Sequence, residues 1–128
     1  MANELTDVGE NLALDFLCGL APTLTGPIKC RLMTVAGTDG AAGTEVTGGT
    51  YAAQTITFSA AVTNTGSTHA AQLNFTLMPA CSVVGWELWT SDGTPKRLWY
   101  IPRTGGAASV NAGDTFVIPA GGTVLGMN

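Results

Sequence analysis

The sequence predicts a mainly β protein: an antiparallel β-sandwich of about seven short strands with one N-terminal amphipathic helix. Three observations carry this. Apolar and polar residues alternate over several short runs, the period of a half-buried strand. Clusters of Gly, Asn, Asp and Pro separate these runs at short intervals. Only one stretch, near the N-terminus, has the three-and-four spacing of a helix. The 128 residues fit a single domain, 1–128, with an N-terminal helical segment at 1–22 and a long glycine-rich loop at 36–50. A chain of this length can bury about two thirds of its unfolded surface, so it needs no staples to fold.

The helix is expected over residues 3–18. Asn3 suits the N-cap and Glu4 the first turn. Leu5, Val8, Leu12, Phe16 and Leu20 form an apolar stripe, with Glu4, Asp7, Asn11 and Asp15 on the opposite side. Gly9 costs about 1 kcal/mol against Ala inside a helix. Gly19, then Leu20 and Pro22, is a stop signal with Gly as the left-handed cap. The expected arrangement packs the stripe on the sheet and leaves the acidic side in water. The alternative docks the acidic side on a basic partner.

Strands follow in order. Ile28–Val35 alternates Cys30 and Leu32 against Lys29, Arg31 and Met33. Ala36–Thr50 has no apolar period and holds Gly37, Gly40, Gly43, Gly48 and Gly49; a structureless stretch of this length is usually functional or ordered by a partner. Gly48-Gly49 suits backbone sites with positive φ. Beyond it Thr50–Ala61 reads as a strand with Ile56 and Phe58 facing the core, and 64–67 as a turn. Leu73, Phe75 and Leu77 alternate with Asn74, Thr76 and Met78 up to Pro79. Val83–Thr90 and Lys96–Ile101 form a hairpin across Ser91-Asp92-Gly93. This hairpin carries all three tryptophans, and its two aromatic faces suit a sheet covered on both sides or one face presented to a partner. Thr115–Ile118 and Thr123–Met127 close the chain.

Charged residues are only 11% of the chain, under half of the roughly 25% usual in globular domains. Such a surface is either neutral-polar or covered by partners, and the second is favoured. The net charge is −4, and the first twenty residues account for all of it through Glu4, Asp7, Glu10 and Asp15. No basic patch exists, which argues against direct nucleic-acid binding. No run approaches the roughly 20 apolar residues of a membrane span. The acidic opening does not read as an export signal. Cys18, Cys30 and Cys81 are odd in number and irregularly spaced, the pattern of buried free thiols rather than a disulfide framework.

His69 is the only histidine, expected in an exposed loop, and nothing near it reads as a nucleophile elbow or activated thiol. The cysteines and His69 lack paired zinc spacing, and Asp39 and Glu45 lack the spacing of a calcium loop. No catalytic residue, metal ligand or cofactor is therefore assigned. Trp86, Trp89, Trp99 and Tyr100 could stack on sugars, which would need two rings exposed side by side; the alternative is core packing.

The helix and first strand are followed by Gly43-Thr44-Glu45-Val46-Thr47-Gly48-Gly49-Thr50-Tyr51 and Ile56-Thr57-Phe58. Later come Gly85-Trp86-Glu87-Leu88-Trp89 and Val110-Asn111-Ala112-Gly113-Asp114-Thr115-Phe116. This succession resembles a family of small tailed-phage virion proteins, often labelled tail-fibre-like and similar to capsid decoration or minor capsid subunits. Family members often carry a base shortly after the tyrosine; Ala52-Ala53-Gln54 stands here, so no basic role is carried over to this loop. The resemblance implies a β-sandwich made in the host bacterial cytoplasm and assembled on a virion as a homo-oligomer, a trimer, with no chemistry of its own. The expected partners are the major capsid protein or tail proteins. A capsid decoration or minor capsid subunit is the favoured function; a tail-fibre or minor tail protein, or a carbohydrate-binding receptor module, is the alternative. The helix and the 36–50 loop are the expected contact elements, with Leu14, Lys29, Arg31, Glu45 and Tyr51 as candidate interface residues.

Overall fold

The computed structural model describes residues 4–62 and 67–125. In chain order the elements are β1 (Glu4–Leu5), α1 (Asp7–Leu17), β2 (Lys29–Val35), β3 (Thr44–Glu45), β4 (Gln54–Thr55) and β5 (Ser67–Thr68). Then follow β6 (Leu73–Phe75), β7 (Cys81–Val83), β8 (Gly85–Trp89), β9 (Arg97–Pro102), β10 (Ala108–Val110), β11 (Phe116–Ile118) and β12 (Val124–Leu125). The expected antiparallel β-rich class with one helix is what forms, in strands shorter and more numerous than the periodicity suggests.

The largest sheet runs β1-β9-β8-β2-β3, with β4 also paired to β2. Its centre is the tryptophan hairpin: β8 pairs antiparallel with β9, and β2 adds on the far side of β8. Thr90 fixes the turn, its hydroxyl donating to Asp92 Oδ1 at 3.1 Å and accepting from the Lys96 N–H at 2.8 Å. Three two-stranded ladders, β10-β7, β11-β6 and β12-β5, supply the opposing layer. Leu32, Trp86, Leu88 and Ile101 of the large sheet share one core with Leu73, Phe75, Val110 and Ile118 of the ladders. Apolar burial of this kind, at about 25 cal/mol per Å2, is the main force holding the layers together.

Two expected strands are interrupted. Thr50–Ala61 keeps ladder pairing only at β4 and at an isolated bridge between Phe58 and His69, although Ile56 is buried and Phe58 packs on the core. The alternation through Leu77 also fails. Leu77 has φ +49° and turns outward, 57% exposed, so that Met78 enters the core instead. A left-handed residue exchanges the faces of its neighbours, and no glycine marks it in the sequence. By contrast, Gly48 and Gly49 have φ +105° and +58°, as their pairing predicts. Asn64–Gly66 of the expected 64–67 turn, and the end of the expected last strand, lie outside the described residues.

The helix departs most from expectation. Asn3, the expected N-cap, lies outside the described residues, and Glu4-Leu5 pairs with Tyr100 and Trp99 as β1. The cap is Thr6, whose Oγ1 accepts from the Gly9 N–H at 3.2 Å and donates to the Arg97 carbonyl at 2.6 Å. One side chain thus caps α1 and ties it to β9. The other end is as predicted: Gly19 has φ +79°, its N–H donates to the Phe16 carbonyl, and the Leu20 N–H donates to the Asp15 carbonyl.

The apolar stripe faces the sheet only in part: Leu5 pairs with β9, and Leu12 and Phe16 line a groove against it, while Val8 turns to solvent. Gly9 is the helix residue that is buried, and a Cβ there would sit 2.5 Å from the Leu98 carbonyl oxygen and 2.7 Å from Leu5 Cδ1. Close approach of two backbones selects the smallest residue on the helix, and at about 100° per residue this puts Gly9 rather than Val8 against the sheet, with Leu12 and Phe16 along the groove beside it. Val8, Leu14, Phe16 and Leu17 are left exposed. Gly9→Ala, which raises stability by about 1 kcal/mol in an ordinary exposed helix, is expected to lower it here by about 1–3 kcal/mol through overpacking. Urea unfolding reads the sign directly.

Candidate interaction surfaces

The glycine-rich loop is closed over a buried ion pair. Arg97 Nη1 donates to Glu87 Oε1 at 3.1 Å, with the two side chains 6% and 0% exposed. Arg97 Nη2 donates to the carbonyls of Thr38 and Asp39, the latter at 2.6 Å. Glu87 Oε1 also accepts from the Gly43 N–H at 2.9 Å, and Oε2 from Trp89 Nε1 at 2.9 Å. Both charges are thereby saturated, the condition under which buried charge is tolerated. A Cβ on Gly37 would meet Arg97 Nη1 at 2.6 Å and Glu87 Oε1 at 2.7 Å, so glycine is what lets the loop lie on the pair. The first half of the expected contact loop is therefore held by its own domain.

This pair was not singled out from the sequence. A partial signal was present: Glu87 and Arg97 lie on the two strands of the hairpin. In the ladder, however, Arg97 stands opposite Trp89 and Glu87 opposite Tyr100, so the ion pair is diagonal and depends on a register shift between Leu88 and Trp89 that the sequence does not mark.

The candidate interface residues separate into two places. Arg31, Glu45 and Tyr51 meet at the β2-β3 side. Arg31 lies 3.6 Å from Glu45 and 4.5 Å over the Trp89 ring. Tyr51 OH donates to Glu45 Oε1 at 2.9 Å and accepts the Leu32 N–H at 2.9 Å, and its ring stacks on Phe75 at 6.0 Å. Burial, chiefly, pushes the Tyr51 hydroxyl well above its ordinary pKa. Lys29, two residues from Arg31, donates to Thr55 Oγ1 at 2.8 Å. Leu14 is elsewhere, exposed on α1 beyond the β1-β9 edge. Tyr51→Phe leaves the buried Leu32 N–H without its acceptor and is expected to cost about 1–3 kcal/mol, measured by denaturant unfolding.

The second place is α1 and the segment after it. Phe16 is 69%, Leu17 71% and Leu20 71% exposed, with Leu14 and Leu24 beside them. Between α1 and β9 runs a groove of about 210 Å3, walled chiefly by Leu12, Phe16, Pro22, Leu24, Leu98 and Trp99. Contiguous exposed apolar surface marks an interaction site.

His69 is not in an exposed loop. It is buried between β5 and β12, with Nδ1 accepting the Thr123 N–H at 3.0 Å. Backbone bonds to Thr123 and Gly121 explain the burial: the residue pins the last ladder. Cys18, Cys30 and Cys81 are free thiols, but of the three expected to be buried only Cys30 is, which raises its pKa; Cys81 is half-buried and Cys18 is exposed. Among the described residues no group of three or more His, Cys, Asp or Glu is placed to hold a metal. Nor is any helix there long and apolar enough to cross a membrane. The four rings considered for sugar stacking are tied into the fold. Trp86 and Tyr100 are buried, with Trp86 Nε1 donating to Thr123 Oγ1. Trp89 lies under Arg31, and Trp99 packs against the core.

The molecule is thus a β-rich antiparallel domain whose helix carries exposed apolar side chains, a surface that marks an interaction site. Residues 4–126 match the family described as Podophage GP4 fiber I protein gp80, and the chain belongs to that family. It is a structural component of a phage virion, of the fibre type, and it interacts with other phage structural proteins. No curated protein and no solved structure matches the chain.

Proposed function

We propose that this chain is a subunit of a phage tail fibre that acts by protein–protein contact, without catalysis. The family match over nearly the whole chain carries this reading. The exposed apolar face of α1 supports it, because a surface of this kind favours being covered in an assembly. The trimeric state implied by the resemblance belongs to the same proposal, and sedimentation equilibrium of the purified chain checks it. The helix and the glycine-rich loop were the expected contact elements for either a head or a tail position; Arg97 and Glu87 hold residues 37–43 of the loop, which leaves the helix as the better supported of the two.

Gold-labelled antibody against the chain, applied to purified particles, tests the placement. Label confined to the tail is expected. Label spread evenly over the head would replace the fibre by a decoration subunit.

A further inference from the structure

We propose that the α1 face docks a different polypeptide of the virion, one that inserts an apolar side chain into the α1-β9 groove and flanks it with Lys or Arg. This rests on the fibre reading above and names the surface and the chemistry of its partner.

Size selects the class of occupant. At about 210 Å3 the groove is below the roughly 300–1,000 Å3 of small-molecule pockets. It suits a single large anchor side chain, and exposed Phe16 and Leu24 at its wall, with Leu17 and Leu20 exposed nearby in the chain, suit the surrounding contact of a polypeptide interface.

Charge selects the partner. Residues 1–28 contain four acidic side chains and no basic one. Asp7, Glu10 and Asp15 lie on α1 itself, exposed beside the apolar residues. A complementary surface is therefore basic at its rim. A second copy of this chain fits poorly. Helix against helix sets acids against acids. Of the five bases, Arg31, Lys96 and Arg97 already pair with Glu45, Asp92 and Glu87. Lys29 and Arg103 are the two without an acidic partner among the described residues, each bonded to a neutral oxygen.

The test places a benzophenone amino acid at position 16 in phage particles that carry the full chain. Phe16 is exposed and aromatic, so the probe fits without refolding. Crosslinking and peptide sequencing are expected to return a peptide of another virion polypeptide with Lys or Arg close to the attachment point. A crosslink to a second copy of this chain overturns the proposal, as does no crosslink in particles that contain the chain. Particles lacking the chain altogether would overturn the fibre reading itself, and this inference with it. A second variant, Glu10→Lys with Asp15→Lys, is expected to cut the crosslink yield at least about tenfold. Its thermal midpoint should stay close to that of the parent, since both side chains are exposed. An unchanged yield overturns the basic partner.

Discussion

Arg97→Met is expected to lower the free energy of unfolding by about 3–5 kcal/mol, as breaking a buried ion pair does. Glu87 is fully buried, and the substitution leaves its carboxylate with only the Gly43 N–H and the Trp89 indole as donors. The same change frees the Thr38 and Asp39 carbonyls, which Arg97 now holds. Residues 37–43 should therefore loosen before the rest of the domain. Hydrogen exchange reads this as loss of protection at Thr38, Ala41 and Gly43, whose N–H groups donate within the loop or to Glu87. The double variant Glu87→Leu with Arg97→Met removes both charges and should recover most of the loss. Recovery in stability without recovery of loop protection would identify the pair as a fastening for the loop more than a source of net stability. A single-variant cost under about 1 kcal/mol would show that the pair is solvated.

Phe75→Ala should cost about 3–5 kcal/mol, the usual range for truncating a buried aromatic ring. Phe75 is 1% exposed and lies between the rings of Tyr51, at 6.0 Å, and Phe116, at 6.5 Å. It is also the place where the ladder layer reaches the large sheet, because Tyr51 OH contacts both the Leu32 backbone and Glu45. Phe75→Ala and Tyr51→Phe should therefore be non-additive, with a coupling of about 0.5–3 kcal/mol in a double-mutant cycle. Strict additivity would mean that the stack carries no hydrogen-bond geometry from one layer to the other.

What was legible in the sequence was local. Gly19 and the Gly48-Gly49 pair announce their left-handed backbones because little else tolerates them. The tryptophan hairpin is legible because period-two alternation flanks the turn signal Ser91-Asp92-Gly93, although the register shift between Leu88 and Trp89 is not. What was hidden depends on residues distant in sequence. The orientation of α1 is set by contact of Gly9 with the Leu98 carbonyl, 89 positions away along the chain numbering. Helical periodicity finds the apolar stripe but cannot say that Gly9 rather than Val8 will make the closest approach to the sheet. His69 is buried by Thr123, and Leu77 takes a conformation that its side chain does not advertise. Of the candidate interface residues, Leu14 is exposed on α1. Arg31, Glu45 and Tyr51 were named only as candidates alongside Leu14 and Lys29, and nothing in the sequence showed that these three bind one another.

The exposed helix face has a consequence for the free chain. Phe16, Leu17 and Leu20 present large apolar area to water, where covering a leucine-sized side chain is worth about 1.5–3 kcal/mol. Association through this face is therefore favoured wherever a complementary surface is available. The loop over Arg97, by contrast, has its polar groups satisfied internally and offers little gain on contact.

A side-chain-resolution reconstruction of the intact particle tests this division most directly. The outer surface of the first helix should be covered by another polypeptide, while residues 37–43 keep their bonds to Arg97 and Glu87. A particle in which that helix stands bare to solvent, or in which the loop has left Arg97 to reach a neighbour, would contradict it.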